Sequence, residues 1–527
     1  MHRWRGCWFT AMALLIVPML SGCGTLAPSW HHARQGPSSQ AGQSPSIVRA
    51  QFGEPVSAES LSPLVPVSVD PPVVPFSPPA PEEFDKALPI NLPTALQLAN
   101  ARPLDIALAS QRIQIAVAGL DRAKILWLPT LYLGADYYRH DGQLQDVAGS
   151  VFGASKSAVM VGAGPSAVFA VTDAIFSPLV ERQVVRARQA NLQTAMNDSM
   201  LSVAEAYLNV QQARGDLAGA EDAARRTEEL VRRTTQLVKG LVAPVDVIRA
   251  RTEVAERRQA VLAARERWRR ASAELARILR LDPSALVQPL EPPHLKVSLV
   301  SIDGAVDELI PIGLTNRPEL ASQLALVQAT LHRLKAERLR PLIPSLLLRG
   351  AATNPSGTLA GGTFGGGQNG RIGDFSARSD WDIQVIWELQ NLGLGNRAKV
   401  KERRAENEVA IIELFRLQDR IAAEVADAYA QAKSAEARIA QAENGIKDAV
   451  ESVNEHFKGM EQTQKLGNTL VLAIRPQEVV AAIQSLSRAY SNYYAAIADY
   501  DRAQFRLYRA MGQPAQCVTD SPGHLSR

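Results

Sequence analysis

Val203-Ala204-Glu205-Ala206-Tyr207 returns as Val425-Ala426-Asp427-Ala428-Tyr429, and four further pairs return with it in the same order. Arg102-Pro103 recurs as Arg317-Pro318, and Leu128-Pro129 recurs at the same offset as Ile343-Pro344. Pro244-Val245-Asp246-Val247 recurs as Pro476-Gln477-Glu478-Val479. Ile278-Leu279-Arg280-Leu281-Asp282-Pro283 aligns with Tyr508-Arg509-Ala510-Met511-Gly512-Gln513-Pro514, with one residue gained. Chance gives one such pair but hardly five in sequence, so the folded part is a twofold internal repeat.

The repeats are expected at 85–295 and 296–514. Each opens with a helix, about 104–127 and 319–341, which a Pro then breaks. A strand, a Gly/Ser-rich loop and a second strand follow, at about 130–139 and 166–176 in the first half and about 345–353 and 379–390 in the second. A very long helix comes next, about 180–238 and 396–464. A turn at Gly240 or Gly467 reverses the chain into a returning helix, about 245–281 and 477–511. A helix of roughly 60 residues is about 90 Å long, which suits a bundle, a coiled coil or the wall of a tube. A chain rich in Ala, Leu, Arg, Glu and Gln and poor in aromatics favours such helices.

The fourth strand carries the sharpest pattern. Trp381, Ile383, Val385, Trp387 and Leu389 fall on one face, and Asp380, Asp382, Gln384, Glu388 and Gln390 on the other, with Ile386 as the exception. Alternation over some ten residues, with Trp near both ends, is the pattern of a transmembrane barrel strand. Trp381, Ile383, Val385 and Trp387 are therefore the expected lipid-facing residues. Leu131, Leu133, Ala135 and Tyr137 repeat the pattern less sharply. Four strands cannot close a membrane barrel, because open edges would leave backbone groups unpaired in hydrocarbon, and the smallest barrels have about eight strands. The chain must pool strands with copies of itself, and three copies would supply about twelve.

Outward from the repeat, the N-terminus reads as an export leader over 1–22. Arg3 and Arg5 precede an apolar run from Trp8 to Leu20 that is too short to span a bilayer. Leu20-Ser21-Gly22-Cys23 resembles a lipobox, in which Cys23 would carry the lipid. Segment 23–84, rich in Pro, Ser and Val, reads as a disordered or polyproline-like tether, and 515–527 as a flexible tail. Cys7 would leave with the leader and Cys23 would be lipidated, so Cys517 has no partner for a disulfide.

No enzyme is visible. Gly365-Gly366-Gly367-Gln368-Asn369-Gly370 matches a dinucleotide pattern in letters, but the helix that must receive the phosphate is missing, and a loop is expected there. There is no P-loop, no nucleophile elbow and no His pair at metal spacing, so neither a cofactor nor a metal is expected. A net charge of +4 over 527 residues does not argue for nucleic acid.

The half-repeat of helix, Pro, strand, loop, strand and long helical hairpin resembles the TolC-like outer-membrane factors over about 85–514. Gly240-Leu241-Val242-Ala243-Pro244-Val245-Asp246-Val247 is similar to that family's periplasmic tip turn, and Arg502 to Gly512 to the end of its last helix. The resemblance implies a mainly α fold, with duplicated helical hairpins forming a trimeric α-barrel and four strands per chain entering a twelve-stranded β-barrel. It implies an outer-membrane channel reaching into the periplasm, a homotrimer that docks a periplasmic adaptor and an inner-membrane pump or ABC transporter. The competing reading is a lipid-anchored periplasmic adaptor or helical scaffold. Gly240, Asp246, Gly467 and Glu478 are the candidate gate or adaptor contacts. The second turn departs from the pattern: about five more residues, including Leu470-Val471-Leu472-Ala473-Ile474, separate Gly467 from Pro476.

Overall fold

The computed structural model describes residues 77–101, 103–238, 241–350, 359–466 and 469–513. The leader, Cys23, the tether up to residue 76, Gly240, Gly467 and the tail lie outside the described residues. The order of elements is β1 (Lys86–Ile90), α1 (Leu92–Ala101), α2 (Leu104–Lys124), β2 (Thr130–Gln145), β3 (Val151–Ala170), α3 (Val171–Leu237), α4 (Pro244–Leu279), β4 (Ala285–Pro289), α5 (Val306–Asn316), α6 (Pro318–Leu339), β5 (Ser345–Gly350), β6 (Gly361–Gln368), β7 (Gly373–Ser379), β8 (Trp381–Ile386), α7 (Leu394–Met460), β9 (Thr463–Leu466), β10 (Thr469–Leu472) and α8 (Pro476–Ala510).

The duplication holds to within one residue in its long members. α3 and α7 each have 67 residues, and α4 and α8 have 36 and 35. At 1.5 Å per residue the two long helices are each about 100 Å. Pro244 and Pro476 start the returning helices at the position where a missing N–H costs nothing. α3 packs against α2, α4, α6 and α8, and α7 against α5, α6 and α8. One apolar core runs along α7 and α8, through Ile421, Val425, Ile439, Ile446, Val479, Ile483 and Leu486. Among the described residues no helix is long and apolar enough to cross a membrane.

A second core sits where the repeats begin and end. β1 and β4 pair in parallel, Lys86 opposite Ala285. Trp268, 1 % exposed, donates its indole N–H to the Val287 carbonyl at 2.9 Å and packs among Leu96, Leu275 and Leu279. Tyr207 donates to the Ile90 carbonyl at 3.2 Å. The connector between repeats is held on α8: Asp501 accepts the Val297 N–H at 2.8 Å, and Gln504 accepts those of Leu299 and Val300. These acceptors satisfy backbone that no ladder reaches. The start of the folded chain is clamped to α4, where Glu82 pairs with Arg265 and both Glu82 and Asp85 pair with Arg269.

The strands correct several expectations. The second strand is β3, from Val151, and not 166–176; from Val171 onward the chain is already helical. Residues 151–165 look like a loop in sequence, yet they pair with fifteen of the sixteen residues of β2. The expected loop at Gly365–Gly370 is partly strand, because Gly361–Gln368 is β6. There the ring of Phe375 lies over Gly365, in space that any Cβ would occupy. The first strand runs on to Gln145, and the fourth stops at Ile386, before a turn in which Asn391, Leu392 and Gly393 all have positive φ.

Even so, the sheet has four tracks. β5 and β6 both pair with β3, and β8 and β7 pair with β5 and β6 in turn. Leu348 faces Ala167 and Gly361 faces Ala163, so thirteen residues on one side oppose four on the other. The same excess of nine separates the Gly350–Trp381 pair from the Gly361–Ser379 pair. β5 and β6 thus follow one another along a single track beside β3. β2 forms one border of the sheet and β7 with β8 the other, each pairing with a single neighbour.

Candidate functional surfaces: sheet strands and helical tips

On β8 and just past it, Trp381, Ile383, Val385 and Trp387 are exposed, whereas Asp382 and Gln384 between them are half-buried. The Gln384 amide donates to Asp382 at 2.8 Å, so the polar residues bond among themselves on their own face. Register carries the apolar row across the sheet: Val385 is opposite Leu346, and Leu346 opposite Phe169. Paired residues in an antiparallel ladder share a face, so the row spans three strands. On β2, Leu131, Leu133 and Tyr137 are exposed as well.

At the opposite end, Asp246 lies in the first turn of α4 and Glu478 in the first turn of α8. An acid there favours the positive helix end. Asp246 pairs with Arg249 at 3.3 Å, while Glu478 is exposed. The two helix starts share one core through Ala250, Val479, Ala482 and Ile483. The extra residues of the second tip form a hairpin in which β9 and β10 pair antiparallel, Thr463 opposite Leu472. Its root is fixed by the Ala473 N–H bond to the Gln462 carbonyl at 2.9 Å, by Leu472 and Ile474 packing on the core, and by the Arg233–Glu461 pair to the other helical hairpin. The first tip has only residues 238–243 between its helices.

Between these ends lies a feature the sequence reading passed over. Gly215 and Gly219 on α3 receive the rings of Tyr494 and Tyr490 on α8; an added Cβ at either glycine would meet ring or Cβ carbons at 2.6 Å. The two rings stack at 6.4 Å, and Tyr490 donates to Asp222 at 3.0 Å. Its signal was available, since both the glycines and the tyrosines stand four apart, one helical turn. Asp216 sits beside these seats. Burial pushes its carboxyl up to about 6 against the opposing pull of Arg267 on α4 and a hydrogen bond from Ser491 on α8. Because the folded pKa lies above the unfolded one, stability is fully present below pH 4 and declines as pH rises towards 6. Asp216→Asn is therefore expected to raise thermal stability at pH 7.5 by about 1–3 kcal/mol and to change nothing near pH 4. Melting curves at both pH values check this; equal shifts at both would exclude ionisation as the cause.

Among the described residues no cluster of His, Cys, Asp or Glu could hold a metal ion.

Two 67-residue helices set in duplicated hairpins, with a four-track sheet at one end, make a fold shared with solved outer-membrane channels. Residues 95–279 match the family described as outer membrane efflux protein. The fold is that of the outer-membrane channel OprN, with 17% identity and a TM-score of 0.64 over 81% of this chain and 90% of that one. It is likewise that of the open-state MtrE outer-membrane channel of Neisseria gonorrhoeae, with 15% identity and a TM-score of 0.62 over 83% of this chain and 95% of that one. The VceC outer-membrane protein of Vibrio cholerae is similar at 14% identity and a TM-score of 0.61, over 80% and 96% of the two chains. No curated protein matches the chain in sequence.

Proposed function

We propose that this chain is the outer-membrane channel subunit of a tripartite efflux or type I secretion system. Three copies form a passive exit duct from periplasm to exterior, docked on a periplasmic adaptor and an inner-membrane pump or ABC transporter. One observation carries the reading: a four-track sheet with two open borders and an outward apolar row, continued by helices of about 100 Å. Open borders are tolerated in hydrocarbon only if copies pair them. An adaptor or scaffold has no use for such a lipid-type row. Purified protein in mild detergent should have the mass of a trimer and conduct ions in a planar bilayer. A monomer with the full strand content would overturn the architecture.

Cys23 serves as lipid anchor, with the tether leading to the Glu82–Asp85 clamp on α4. Cys23→Ser should abolish labelling by a fatty-acid analogue, while barrel insertion can persist; continued labelling would remove the anchor from the reading.

Asp246 and Glu478 place up to six carboxylates at the narrow periplasmic end of the trimer, an arrangement that favours cations. Arg249 offsets the charge of Asp246, so Glu478 carries more of the effect than its partner. Replacing both with Asn and Gln should weaken cation preference and block by divalent ions in single-channel records, with trimer stability nearly unchanged. If selectivity holds and only stability falls, the two acids are helix-start residues.

A further inference from the structure

The turn that leads from the sheet into α7 has a form that neither the sheet nor the helix requires. Asn391, Leu392 and Gly393 have φ of 48, 58 and 87°. Asparagine and glycine accept that conformation readily, but a bulky side chain such as leucine does not. Leu392 is also 96 % exposed. Backbone strain and bare apolar surface at one residue point to surroundings other than water. Leu389 and Leu394, on either side of the turn, are exposed as well. They extend the apolar row of Trp381, Ile383, Val385 and Trp387 past the end of β8. Ser345 is opposite Ile386, so the chain entering β5 runs beside the chain leaving β8. There Leu342, just past α6, is exposed too.

Cations follow directly. Over its first turns α7 carries Arg397, Lys399, Lys401, Arg403 and Arg404 against one acid, Glu402. Arg403 is tied to Glu406 at 2.8 Å. Arg397, Lys399, Lys401 and Arg404 are exposed, and among the described residues no ion pair reaches them. Leu394, Arg397, Lys401 and Arg404 recur at three- and four-residue steps, so they stand on one helix face. Arg333, Lys335 and Arg338 are exposed on the last turns of α6. These charges do nothing for α7 itself, because the start of a helix disfavours cations. Nor does the hairpin need them. Val203 and Val425 are 222 apart, and the same offset turns Arg397, Lys399 and Lys401 into Ile175, Ser177 and Leu179 of α3. The first repeat builds an equally long helix without them.

We propose that the β8–α7 turn and the opening turns of α7 form a docking surface for anionic phospholipid of the periplasmic leaflet. Leu389, Leu392 and Leu394 enter the acyl region. Arg397, Lys401 and Arg404 meet the lipid phosphates, with the cations of α6 beside them. This rests on the channel reading above, in which the sheet lies in the outer membrane and the long helices in the periplasm. The occupant is a lipid surface and not an acidic protein because of the order along the chain. An apolar row, then bare leucines, then cations repeat the layers of a bilayer from hydrocarbon to phosphate. Arg397 and Lys401 stand about 5 and 10 Å further along the helix than Leu394. That is within the depth of a headgroup layer and the reach of their side chains.

The test is lipid binding by the full chain, assembled in a neutral detergent. It is titrated with fluorescently labelled phosphatidylglycerol and, separately, with phosphatidylcholine bearing the same chains and label. Phosphatidylglycerol should bind about tenfold more tightly, and the difference should vanish at about 1 M salt. In Arg397→Gln/Lys401→Gln/Arg404→Gln the two lipids should bind alike. Arg397→Lys/Arg404→Lys should keep the preference. Removal of three exposed cations elsewhere, in Arg251→Gln/Arg258→Gln/Arg270→Gln on α4, should also leave it in place. Leu392→Asn, whose side chain suits the backbone, should weaken both lipids to the same extent. If the triple variant does not assemble, Lys401→Gln alone decides: it should lower the preference about twofold or more, and an unchanged ratio overturns the docking surface. Mass in detergent is measured on every sample. A wild-type trimer without the preference overturns the docking surface and leaves the channel reading standing. So does a triple variant that keeps the preference, or an α4 variant that loses it equally. A triple variant that keeps it and shifts the reversal potential in planar bilayers puts the cations in the duct, which also overturns the docking surface. A monomeric wild type overturns both.

Discussion

Val385→Arg is expected to lower trimer yield sharply, at a cost of about 2–4 kcal/mol per subunit near the bilayer midplane. Val385 is exposed and lies in the row that runs through Leu346 to Phe169. In hydrocarbon an Arg on that row has no counter-charge. Gln384→Arg places the same charge one residue away, beside Asp382, which already accepts the Gln384 amide at 2.8 Å. That variant should assemble normally. The comparison keeps the introduced residue the same and changes the face on which it stands. Trimer recovered from membranes is the readout, and equal losses would argue against a lipid face on this strand.

Trp268→Ala should be the most destabilising single change outside the membrane, by about 3–5 kcal/mol. The ring is 1 % exposed at the joint between α4, α1 and β4, and its N–H is the bond that holds Val287. Removing it leaves a cavity and an unpaired buried carbonyl. Trp268→Phe keeps most of the volume and loses the bond, so it should fall between wild type and Ala. Thermal melting of the assembled protein orders the three. If Ala and Phe are alike, the hydrogen bond matters and the packing does not. The expected position of the lesion is local: β1 and β4 loosen, and with them the ion pairs that hold Glu82 and Asp85 on α4.

The long helices were legible because each level of pattern agrees with the next. A duplicated landmark set fixed the order of elements, prolines marked the starts, and Pro244 and Pro476 do open α4 and α8. β8 was legible because its side chains alternate in size and polarity. β6 was not, since glycine has no side chain with which to alternate; its role as strand emerges only where Phe375 covers Gly365 and β3 supplies the ladder. β3 was misplaced for the same reason, its small residues being strand only in the presence of β2. The second tip carried a length anomaly in sequence, but whether those residues form a loop or a hairpin depends on Ile474 and Leu472 finding the core of α7 and α8.

The chemistry divides in the same way. That Asp246 and Glu478 occupy matching helix starts can be read from their distance behind a proline, a local relation along the chain. That Arg249 offsets one of them and leaves the other exposed is decided by side-chain geometry. Asp216 is one acid among many in a helical stretch, and its raised pKa arises because three helices, α3, α4 and α8, converge on it and remove water. Local sequence rules determine which elements form and where they start, since propensity, capping and periodicity act within a few residues. Burial, register and ion pairing depend on groups brought together from distant parts of the chain.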